Sequence, residues 1–237
     1  MVWPRALSKA AGVALLTLAA AVGATAQTHY NSHIWLGARG GITLSRMDIS
    51  PSITQTMKTG TTGAVTFRYA EEKLFGLVAE LGFVQRGWKE QFNTPEETSP
   101  LQYSRTLTYV NLPVMTQIIF GTNRFKGFVN LGPEVSYLVS EGTTANFDYR
   151  NPTAAEGWPK RPRQYEHLAM AVQNKFDYGI TGGAGIEVYV APRHSLTLEA
   201  RYYFGLGNIF HSSKADVYSA SRCTSIEVTI GYNFRLK

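Results

Sequence analysis

Ile226-Glu227-Val228-Thr229-Ile230-Gly231-Tyr232-Asn233-Phe234 decides the fold, because its side chains alternate in character without a break. Successive side chains of an extended strand point to opposite faces. Ile226, Val228, Ile230, Tyr232 and Phe234 therefore share one face, and Glu227, Thr229, Gly231 and Asn233 the other. One face is oily and one is not. The same pattern stands upstream in Leu196, Leu198, Ala200, Tyr202 and Phe204 against Thr197, Glu199, Arg201 and Tyr203. It stands again in Val129, Leu131, Pro133, Val135 and Tyr137 against Asn130, Gly132, Glu134 and Ser136.

Followed along the chain, period two marks about eight segments: 34 to 46, 62 to 70, 74 to 88, 105 to 120, 124 to 140, 175 to 190, 194 to 207 and 222 to 236. Each reaches the roughly nine to eleven residues that a tilted strand needs to cross a bilayer. Tight connections fall around Glu71-Glu72, Gly121-Thr122-Asn123 and Ala191-Pro192-Arg193, and they alternate with long ones at 47 to 61, 89 to 104, 141 to 174 and 208 to 221. Short periplasmic turns set against long external loops are the habit of bacterial outer-membrane barrels. An even strand number then puts both termini on the periplasmic side.

Which face is wet separates a membrane barrel from a soluble one, whose apolar side chains would fill the inside. The glycine-bearing face also carries Arg39, Arg68, Glu80, Glu134, Glu187, Glu199, Arg201 and Glu227. The start of the chain bears on the choice. Arg5 and Lys9 precede an apolar run from Ala10 to Val22, and Ala24-Thr25-Ala26 is a small-x-small cleavage site, so residues 1–26 are expected to be a signal peptide and 27–237 the barrel domain. The run is roughly thirteen residues, short of the twenty or so that a spanning helix needs. Together with the loop asymmetry and the aromatic residues near strand ends, export favours the membrane.

The expected fold is all-β: an eight-stranded antiparallel up-and-down transmembrane β-barrel with a polar filled lumen, placed in the cell outer membrane. No cysteine follows the cleavage site to take a lipid, and Cys223 has no partner for a disulfide. Losing Arg5 and Lys9 leaves 21 basic residues against 17 acidic ones, about +4, too mild an excess to argue for nucleic acid.

The chain resembles the PorT-like outer-membrane β-barrel family of Bacteroidetes over nearly all of its mature length. The resemblance rests on Gly37-Ala38-Arg39-Gly40-Gly41-Ile42-Thr43-Leu44-Ser45, on Glu80-Leu81-Gly82-Phe83 closing with Gln85-Arg86-Gly87, and on Tyr109-Val110-Asn111-Leu112-Pro113-Val114. It continues through Leu131-Gly132-Pro133-Glu134, Asp177-Tyr178-Gly179, Gly182-Gly183-Ala184-Gly185-Ile186-Glu187, Leu198-Glu199-Ala200-Arg201-Tyr202-Tyr203 and the terminal Ile230 to Phe234. It implies an eight-stranded barrel and an accessory role in secretion and gliding machinery, and no defined activity. The long third external loop and Arg235-Leu236-Lys237 after the last aromatic depart from the family's commonest form.

Three constellations are candidates for chemistry. The lumen charges, five carboxylates and three guanidiniums, must pair or hold water in a confined interior, and an eight-stranded bore is narrow enough for side chains to fill. They make a plug or, alternatively, a narrow channel. The third external loop sets Lys160, Arg161 and Arg163 among Tyr149, Trp158, Tyr165 and His167, a set that could grip lipopolysaccharide phosphates or a surface partner, or else a solvated loop. His211-x-Ser213, with Asp216 near, matches one element of a lipid A hydrolase, which would need a His base beside its Ser. His194-Ser195 falls at a periplasmic turn, away from lipid A. No metal signature or phosphate cradle stands out: Gly182-Gly183-x-Gly185 lies inside a strand. The expectation is a non-enzymatic monomer without cofactor. Its partners would be outer-membrane lipid, lipopolysaccharide and an envelope protein.

Overall fold

The structure, a computed structural model, describes residues 32–70, 74–93, 99–159, 165–210 and 219–236. The expected signal peptide, the turn at Glu71-Glu72, the cations Lys160, Arg161 and Arg163, and the His211-x-Ser213 pair lie outside them. Eight long strands follow one another: β1 His33–Ser50, β2 Lys58–Ala70, β3 Phe75–Glu90, β4 Tyr103–Gly121, β5 Phe125–Ala145, β6 Phe176–Ala191, β7 His194–Gly205 and β8 Ala220–Arg235. Each pairs antiparallel with its neighbours in sequence, and β1 pairs with β8, so the sheet closes into a ring. Closure leaves no open edge for a lipid environment that cannot satisfy one. A two-residue ladder, Gln55–Thr56, adds to the outer end of β3.

Alternation sets what each face meets. The outward positions at membrane height are apolar, with Ile230 66% and Leu131 62% exposed, while Glu227, Asn130 and Thr229 on the opposite face are buried. Such an oily exterior is unstable in water and suited to lipid. The start of β1, the end of β8 and the turns Thr122–Arg124 and Pro192–Arg193 share one end. At the first, Thr122 N donates to Phe125 O at 2.8 Å, and Gly121 supplies the positive φ. The long connections occupy the other end, as the sequence predicts.

Strands reach further outward than expected. β5 runs to Ala145 where alternation ends near residue 140, β4 starts at Tyr103, and the first three external loops shorten to 51–57, 91–102 and 146–175, while the fourth shifts to 206–219 at the expected length. The physical reason is an inversion of the pattern above the membrane. Met47, Trp88, Tyr103 and Leu107 are buried there, while Arg46, Lys89, Ser104 and Thr106 on the same strands face out. The outer end thus keeps its apolar side chains inside, as a soluble barrel does, above a membrane-height lumen that is polar.

Candidate functional site

The lumen is filled in three layers. Nearest the periplasm, Arg68 donates to both Glu187 oxygens at 2.9 and 2.8 Å, and Ser195 Oγ donates to the same carboxylate at 2.5 Å. The Arg68 guanidinium lies 4.6 Å over the Trp35 ring, which meets Tyr189 edge-on at 5.7 Å. Aromatic and cation thus close the lower mouth together.

Above it, seven side chains form one alternating chain. Glu134 takes Arg86 Nη2 at 2.6 Å; Arg86 also reaches Glu227 at 3.4 Å; Glu227 accepts from Arg39 at 3.3 Å. Arg39 Nε donates to Glu80 at 2.9 Å, Arg201 Nη1 donates to Glu80 at 2.6 Å, and Arg201 Nε donates to Glu199 at 2.6 Å. Amides cap its ends: Asn111 donates to Glu134 at 3.1 Å and Asn130 to Glu199 at 2.7 Å. All eight lumen charges singled out in the sequence are buried and paired within these two layers. Such pairing is what lets ions lie in a low-dielectric interior.

Arg86, like Arg105 nearer the outer end, is a buried inward cation that the sequence reading left out. It follows Glu80 by six residues on β3, an even spacing that puts it on the same inward face. Its guanidinium lies 3.6 Å over Tyr203, whose hydroxyl donates to Asp177 at 3.0 Å. Between the two ionic layers a cavity of about 30 Å³, lined in part by Gln117 and Asn130, has room for a water or two and not for a path.

The third layer is apolar. Met47, Val84, Trp88, Leu107, Tyr109, Leu138, Tyr203 and Cys223 are joined from outside by Leu168, Ile209 and Phe210 of the external loops. The loop between β5 and β6 caps this core with a single helical turn, Glu166–Ala169. Tyr103 donates to Leu168 O at 2.8 Å, Arg105 Nη1 to Met170 O at 2.6 Å, and His167 Nε2 lies 3.1 Å from Glu90, both fully buried.

The aromatic residues of this loop pack on one another and on the outer end of the barrel. Trp158 packs on Phe92 at 5.8 Å, Tyr149 meets Tyr103 at 6.0 Å, and His167 is inside; Tyr165, 39% exposed, stands edge-on to Trp158 at 6.0 Å. His194 and Ser195 point apart: His194 Nδ1 meets Tyr232 OH on the exposed face while Ser195 faces the lumen. That neighbouring pair cannot act as a base and nucleophile together.

The family described as "Outer membrane protein beta-barrel domain" matches residues 25–211. No curated protein matches the chain. Among solved structures, Neisserial surface protein A is 11% identical, covering 86% of this chain and 98% of that one with a TM-score of 0.45. OprG from Pseudomonas aeruginosa is 11% identical over 86% of this chain and 97% of its own, with a TM-score of 0.44. E. coli Outer Membrane Protein W is 15% identical over 87% and 100%, with a TM-score of 0.40.

Proposed function

Because the chain belongs to the outer membrane protein beta-barrel domain family and is placed in the cell outer membrane, we propose that it is a closed, non-enzymatic structural and interaction component of the envelope, PorT-like in role. The observation that carries this reading is the filling of the bore. Arg68–Glu187 joins β2 to β6, and Arg201–Glu80 joins β7 to β3. In a ring of eight each of these pairs of strands is diametrically opposed, so both crossings span the lumen. A channel would need the centre that these ions occupy.

What remains available to a partner is the capped outer end, the periplasmic rim and the lipid-facing wall. Crosslinking in whole envelopes, followed by recovery of the barrel and its adducts, tests the reading. A reproducible envelope-protein adduct is the expected result. Ion currents from the purified barrel, or altered lipid A acyl chains in cells that make it, would overturn it.

A further inference from the structure

Two lysines at the outer ends of β2 and β3 stand apart from the ionic order of the lumen. Lys58 and Lys89 line one surface groove of about 450 Å³ together with Thr59, Ser104, Thr144 and Asn146. Among the described residues no carboxylate lines it. Glu90, next to Lys89 on β3, is engaged with His167, and Glu141 on β5 with Arg105. Among the described residues neither lysine has an ion-pair partner, and Lys58 is held below the ordinary lysine range by burial first and by the charge of Lys89 second. Holding two like charges together costs free energy unless an anion lies between them.

The placement is built into the backbone. Gly87 has a φ of +155°, and a Cβ there would lie 2.0 Å from Arg105 O and 3.3 Å from Lys58 Cδ. The Lys58 stem therefore runs over a bare glycine to reach the groove. Ser45 Oγ fixes that turn of chain, accepting from Gly87 N at 2.9 Å. Lys89, with its ladder partner Ser104, faces outward on the same side of β3 as the lipid-facing Phe83, and Thr59 shares the face of Val65 on β2.

We propose that this groove is a phosphate-binding site, with the anion held between Lys58 and Lys89 and hydrogen-bonded by the hydroxyls of Thr59, Ser104 and Thr144. Ammonium–phosphate contacts are charge-assisted and screened by salt. The site goes beyond the interaction role above, since it lies on the barrel wall and not on the cap. The phosphate has two chemical sources at this height, the headgroup of an outer-leaflet glycolipid and free inorganic phosphate.

The test is titration of the refolded barrel at low salt with purified lipopolysaccharide and, separately, with inorganic phosphate. It compares the wild type, the double variant Lys58→Gln/Lys89→Gln, and a control, Lys175→Gln/Arg222→Gln, that removes the same charge elsewhere. Heat-modifiable gel migration confirms that every variant is folded. The expected result is a loss of roughly tenfold or more in affinity for the groove variant, and about twofold or less for the control. The arm in which the loss occurs identifies the source. Equal losses in the two doubles, or no loss in either arm, would overturn the site.

Discussion

Glu80 is shared by two guanidiniums: Oε2 accepts from Arg39 Nε at 2.9 Å and Arg201 Nη1 at 2.6 Å, while Oε1 accepts from Arg201 Nη2 at 2.8 Å. One carboxylate on β3 thereby ties β1, two strands away, and β7, across the full diameter. Its neutralisation leaves two buried cations short of charge. Glu80→Gln is expected to cost about 3–5 kcal/mol, the usual penalty for removing one partner of a buried pair. Urea unfolding of the barrel in lipid vesicles measures it. A cost within experimental scatter of zero would mean that water, not Glu80, compensates the arginines.

Glu199 has a smaller share in the same chain. Arg201 donates to it at 2.6 and 2.8 Å, but keeps both bonds to Glu80 when Glu199 is changed. Glu199→Gln should therefore lower stability by about 1–3 kcal/mol, the worth of a buried bond to a charged group. The order is the informative part. If unfolding ranks Glu199→Gln as more damaging than Glu80→Gln, the chain has been read from the wrong centre.

Both ionic crossings were legible in part from the sequence, because the parity that exposes Ile230 also buries Glu227, Glu199 and Arg201. Which acid meets which base was not legible. Arg68 and Glu187 are 119 residues apart, and only ring closure with a fixed register brings them together. Arg86 was legible by parity with Glu80, yet it sits where β3 is leaving the lipid and its neighbours stop looking like a membrane strand. Trp88, Tyr103 and Leu107 carry the inverted pattern, apolar inward and polar outward, so the alternation that found the barrel understated how far β3, β4 and β5 reach outward. The cap was hidden for another reason. Its helix is four residues long and has neither a capping side chain nor periodicity to announce it.

Conduction tests the layers separately. Removing the cap, by replacing residues 146–175 with a short Gly/Ser linker, opens the apolar layer but leaves Arg68–Glu187 and the chain through Glu80 in place. Planar-bilayer recording of this variant is expected to stay at background, as for the wild type. Steady unitary currents after cap removal would show that the cap alone had closed the bore and that the ion pairs below it yield.

Cys223 reports the cap from beneath. Its thiol is fully buried in the apolar layer, which Leu168 covers from the cap with 2% of its surface exposed. Reagent can reach the sulfur only when the cap lifts, so the labelling rate follows the population of that local opening. Leu168→Ala deletes the covering side chain and should cost the cap about 2–5 kcal/mol, the range for large-to-small changes in a core. Maleimide labelling of Cys223 would then quicken by roughly thirtyfold or more, since each 1.4 kcal/mol is about a factor of ten. Global unfolding predicts otherwise: Glu80→Gln weakens the middle of the barrel and leaves the cap's own contacts intact, so under native conditions it should raise labelling far less than Leu168→Ala. If both variants raise it equally, the cap and the barrel open as one unit, and the cap is no separate element.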